Sequence, residues 1–111
     1  MDNERLVRSL IVERLRRKLR RDYEEVKINP EGNPDITLSS HGLTLAVVQV
    51  ETEGSVTPEQ AEKWAGLAGR GTKLILMVPR ASKVKATDLL WQKGIMDRVA
   101  MGTYEIQINM P

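Results

Sequence analysis

Apolar and polar positions follow two different periods along this chain, and each change of period marks an element. From residue 3 to residue 21, Leu6, Leu10, Ile11, Leu15 and Leu19 recur at helical spacing, which predicts a long amphipathic helix. Asn3 suits its N-cap, and Glu4 falls in the first turn, where the helix dipole favours an acid. From Tyr23 to Asn29 the apolar residues Tyr23, Val26 and Ile28 are set among Glu24, Glu25 and Lys27, the mark of a short strand. Pro30-Glu31-Gly32-Asn33 is strong turn chemistry. Asp35 to Leu38 then reads as a second strand, with Ile36 and Leu38 on one face and Asp35 and Thr37 on the other.

Ser39-Ser40-His41-Gly42 predicts a hairpin turn into Leu43 to Thr52, the strongest strand pattern in the chain. Leu43, Leu45 and Val47 share a face with Gln49 and Glu51; Thr44, Ala46, Val48 and Val50 form the other. Both faces are mostly apolar, so this strand is expected at the centre of a sheet with helices on both sides. Thr57-Pro58-Glu59-Gln60 opens a helix as a capping box, with Gln60 reaching back to Thr57. That helix runs to Ala68 and buries Ala61, Trp64, Ala65 and Ala68. Lys73 to Val78 is an apolar strand stopped by Pro79, expected parallel to the one before it through a right-handed crossover. Ser82 to Gly94 predicts a third helix with Val84, Leu89, Leu90 and Trp91 inward. Ile95 to Gly102 reads as a loop or helical turn, and Thr103 to Asn109 as an edge strand carrying Tyr104, Ile106 and Ile108 on one face. Core filling is the default role for both tryptophans, ahead of base stacking.

Composition narrows the class without changing this α/β layout. The 111 residues fit a single domain, 1–111, and 41% hydrophobic with 29% charged residues fits a globular chain. The absence of cysteine excludes a disulfide framework and any thiolate metal site. No apolar run approaches the ~18 residues of a membrane span, and the charged start does not resemble a signal peptide, so a cytoplasmic protein without a membrane partner is expected.

Charge changes the picture more. The net value is only +2, but the segment from Glu4 to Arg21 carries +6 and the remainder −3. Such segregation points to an anionic partner. Arg14, Arg16, Arg17, Lys18, Arg20 and Arg21 crowd the end of the first helix. They suit the helix dipole and a wet outer face, and equally a rail for nucleic-acid phosphates. Glu13 is the one acid inside the run. It is placed either to pair with Arg16 or Arg17, or to look toward the sheet. His41, the single histidine, lies in a polar turn and is given no catalytic role.

The candidate chemistry lies between Pro34 and Glu53. An acid at the head of one strand, Asp35, faces polar residues at the end of its neighbour, Gln49, Glu51 and Glu53. Oxygen donors in that arrangement suit magnesium or manganese. Ordinary solvated residues at a sheet edge would give the same pattern.

Pro34-Asp35, the Gln49-Val50-Glu51 triplet and the helix–three strands–helix–strand order resemble the restriction-endonuclease-like, or PD-(D/E)xK, nuclease superfamily, and within it the small archaeal Holliday-junction resolvase-type nucleases. The resemblance runs from the first helix to at least Val78. It implies an αβββαβ core with a mixed sheet, a metal-dependent DNA endonuclease acting as a homodimer, and Mg2+ or Mn2+ as cofactor. Asp35, the residue at 49 and the Val50 carbonyl would then hold metal, with Glu13 as a possible ligand from the first helix. Gln60 and Lys63 would face the site, Lys63 standing in for the motif lysine. The sequence departs from the pattern where it matters: Gln49 stands in place of the first acid and Glu51 in place of the lysine. Reading Glu51-Thr52-Glu53 as the motif restores an acid but again no lysine. Catalytic candidates are therefore Asp35, Gln49, Glu51 and Lys63, and metal candidates Asp35, Glu51 and Glu13. A catalytically inactive nucleic-acid-binding member of the same fold and a small dimeric interaction protein are the alternatives.

Overall fold

The computed structural model describes residues 3–106. Its elements are α1 (Asn3–Leu19), β1 (Glu25–Ile28), β2 (Ile36–Ser40), β3 (Leu43–Val50), α2 (Pro58–Ala68), β4 (Lys73–Pro79), α3 (Lys83–Gln92) and β5 (Val99–Tyr104), with short 3-10 turns at Glu53–Ser55, Arg80–Ser82 and Met96–Arg98. The order of helices and strands is the one read from the periodicity. The strands form one mixed sheet in the order β1-β2-β3-β4-β5. Antiparallel pairing joins β1 to β2 and β2 to β3; parallel pairing joins β3 to β4 and β4 to β5.

The central position of β3 follows from its two apolar faces. Ala46, Val48 and Val50 enter a core with Ile36, Leu38 and Val12, onto which Ile11, Leu15 and Leu19 of α1 pack. Val47 enters a second core with Trp64, Leu67, Leu74, Leu76, Leu89 and Leu90, supplied by α2, β4 and α3. One helix thus covers one face and two helices the other.

Turn chemistry sets the register. The His41-Gly42 loop has positive φ at both residues, 54° and 78°. That is the two-residue hairpin geometry whose twist matches the flanking strands. The longer β1–β2 connection is tied by Asn29, whose Nδ2 donates to Pro34 O and to Thr37 Oγ1, both at 3.0 Å.

Four expectations change. In α1, Leu6 and Leu10 are 49% and 62% exposed. At about 100° per residue they point away from Val12, Leu15 and Leu19, and it is Arg8 that shares the inward face. In α3, Val84 and Trp91 are 74% and 69% exposed, and Ala86 joins Leu89 and Leu90 in the core instead. The last strand begins at Val99, where a loop or turn was expected, because residues 99–104 pair in parallel with 74–79. Gly102 permits that pairing: a Cβ there would lie 2.6 Å from Met77 Sδ. The expected strand residues 107–109 lie outside the described residues. Finally, Thr57 caps α2 by accepting the Gln60 N–H at 3.1 Å, but the Gln60 side chain does not complete a capping box; it is committed elsewhere.

Candidate functional site

Strand β3 ends at Val50, and the next residue, Glu51, is held at the edge of both cores. Its N–H donates to Met77 O at 2.8 Å, and its carbonyl accepts the Tyr104 hydroxyl at 2.6 Å. The side chain is fully buried. Each carboxylate oxygen accepts two hydrogen bonds. Oε1 receives Arg8 Nη2 at 3.2 Å and Ser55 Oγ at 2.9 Å; Oε2 receives Gln60 Nε2 at 2.8 Å and Trp64 Nε1 at 2.6 Å. The roughly four lone-pair sites of a carboxylate are therefore all used.

Asp35 lies across from it at the head of β2 and is also buried. Pairing of β2 with β3 brings it there: its N–H donates to Val48 O at 2.9 Å, and its Oδ2 accepts the Val50 N–H at 2.7 Å. Its other oxygen is 3.5 Å from Arg8 Nε, which also donates to the Val50 carbonyl at 3.1 Å. One guanidinium edge thus meets Asp35, the Val50 carbonyl and Glu51. Burial raises the Asp35 carboxyl above its ordinary 3.8; the Val50 N–H and Arg8 pull it down, and the Glu51 charge adds to the rise. Burial, with the Glu51 charge beside it, pushes the Tyr104 phenol up to about 12.

The sequence brought Asp35 and Glu51 forward, and the fold joins them through Arg8. It places the other candidates differently. Gln49 is fully buried; its Nε2 donates to Gly32 O at 3.3 Å, while Oε1 has no partner. Its amide braces the turn that leads to Asp35. Glu13 lines the same groove of about 620 Å³ as Arg5, Arg8, Asn29, Glu31 and Asp35. Its carboxylate, however, accepts Arg16 Nε at 2.9 Å and Nη2 at 2.5 Å. Lys63 is exposed on α2 and none of the four Glu51 donors is a lysine; the α2 residues that reach Glu51 are Gln60 and Trp64. Glu53 is exposed in the turn after β3. Arg14, Arg17, Lys18, Arg20 and Arg21 are exposed, and Arg16 is half-buried against Glu13.

These residues do not fit a divalent ion. A hard cation needs free oxygen lone pairs, whereas the Glu51 oxygens are saturated by protein donors and Arg8 stands between Asp35 and Glu51. Among the described residues, no group of three or more Asp, Glu, His or Cys side chains is arranged to hold a metal. Two functional partners escaped the sequence reading, Arg8 and Trp64. The signal for Arg8 was a charge on the face that carries Val12, Leu15 and Leu19, which calls for a buried acid opposite. Trp64 carried the matching signal, a buried indole whose N–H requires an acceptor. Comparison with protein-family models, curated proteins and solved structures returned no match to this chain.

Proposed function

We propose that this chain is a nucleic-acid-binding module on a restriction-endonuclease-like αβββαβ core, with an arginine–carboxylate cluster where the resemblance puts a metal centre. The reading is carried by the commitment of Glu51: all four of its acceptor positions are spent on Arg8, Ser55, Gln60 and Trp64. A carboxylate so engaged anchors α1, α2 and the sheet to one another and has no capacity left for hydrolytic chemistry. The binding side of the proposal rests on the five exposed cations Arg14, Arg17, Lys18, Arg20 and Arg21 at the end of α1. Backbone phosphates are the chemistry such a cluster recognises without reading sequence.

The test is incubation of the purified protein with linear, nicked and branched DNA, with and without Mg2+ or Mn2+. Retention that weakens with salt and leaves the DNA intact is expected. Metal-dependent cleavage abolished by Asp35→Ala would restore the endonuclease reading, and no retention even at low salt would favour a protein-interaction role.

A further inference from the structure

The oxygens around Arg8 converge more tightly than one guanidinium requires. Asp35 Oδ1, the Val50 carbonyl and Glu51 Oε1 lie 3.5, 3.1 and 3.2 Å from the Nε–Nη2 edge of that group. Two carboxylates and a carbonyl aimed at one point form an all-oxygen cation site. They are held from three independent directions. The β2–β3 pairing fixes Asp35, the end of β3 fixes the carbonyl, and Ser55, Gln60 and Trp64 fix Glu51. None of those supports depends on Arg8.

We propose that Arg8 is the resident cation of this site, and that removing its guanidinium leaves a site for a divalent ion. Charge supports the assignment: one guanidinium offers a single positive charge to two acids, so a divalent ion would balance them better. The guanidinium wins because it is covalently tethered on α1, whose Val12, Leu15 and Leu19 are packed on the sheet. Withdrawing it frees one lone pair on Glu51 Oε1, one on the Val50 carbonyl and one oxygen of Asp35. Those oxygens would need to close in by about 1 Å to reach metal–oxygen distances. This site rests on the reading of the Glu51 cluster as closed in the native protein and makes no use of DNA binding.

Mn2+ is the probe, followed by loss of the free-ion electron paramagnetic resonance signal and by thermal unfolding of the full chain. The native protein is expected to leave the signal and its melting temperature unchanged. Arg8→Ala should take up one Mn2+ per chain and melt several degrees higher with it, and the Arg8→Ala, Asp35→Asn double variant should lose both effects. If Arg8→Ala does not fold alone, millimolar Mn2+ should restore a cooperative transition. An Arg8→Ala chain that ignores Mn2+, whether folded or unfolded, overturns the proposal. So does uptake that survives Asp35→Asn, or equal uptake by the native protein. Failure on any of these counts leaves DNA retention by the native chain untouched, so the two readings fall separately.

Discussion

At Asp35 opposing influences act on a single proton, and their balance is measurable. Burial raises the carboxyl above 3.8 and outweighs the lowering by the Val50 N–H and by Arg8. The native state therefore holds this proton more tightly than the unfolded chain does. The stability Asp35 contributes is fully present below 3.8 and is lost as pH rises through the native value. Asp35→Asn has no such titration. Urea unfolding of both proteins over a pH series should show the native chain's margin over the variant shrinking as pH rises above 3.8, then levelling. A margin that grows instead would mean that the Arg8 and Val50 contacts dominate. Glu51 invites a second measurement. Trp64→Phe keeps most of the packing but removes the 2.6 Å donor to Oε2, and a hydrogen bond to a charged group is worth about 1.5–3 kcal/mol. A loss in that range is expected in urea unfolding.

Within the helices, equal patterns lead to unequal burial. Trp64 and Trp91 both sit in helical apolar sequences, yet Trp64 is fully buried and Trp91 is 69% exposed. Trp91→Ser should accordingly change stability by no more than about 0.5 kcal/mol, while Trp64→Ala should cost about 3–5 kcal/mol, both read from urea midpoints. In α3 the inward face is defined by Ala86, Leu89 and Leu90. A small alanine at that contact lets the helix lie close to β4, and its low hydrophobicity is why the larger Val84 and Trp91 dominate the pattern read from sequence. The same holds in α1, where leucines at 6 and 10 outweigh a consistent face of Arg8, Val12, Leu15 and Leu19. A charge on an inward face is informative only when its partner is known, and the partners of Arg8 lie 27 and 43 residues away, at Asp35 and Glu51.

Across the whole molecule, charge is divided between two places with different duties. The acids near α1 are largely internal or paired: Glu51 with Arg8, Glu13 with Arg16. The basic end of α1 is left outward. If it tracks phosphates as proposed, removing each phosphate-binding cation should lower the slope of log affinity against log salt by about 0.9. Replacing Arg17 and Arg20 together with alanine should lower it by about 2, measured by fluorescence anisotropy with a labelled duplex. Arg16→Ala should change the slope far less, because its guanidinium is already spent on Glu13. No described helix is long and apolar enough to cross a membrane.

The periodicity of the chain was enough to determine the order of its elements, the central place of β3, the parallel run of β4 and the approach of Asp35 to Glu51. These follow from local alternation, turn residues and apolar faces, which act over a few neighbouring positions. Tertiary structure alone decided what that approach means. Whether two buried acids meet a metal or a guanidinium depends on which side chain the opposite helix lowers between them, and on how many donors already fill their lone pairs. Arg8, Ser55, Gln60 and Trp64 come to Glu51 from separate parts of the chain, and only the packing of α1 and α2 on opposite faces of the sheet assembles them.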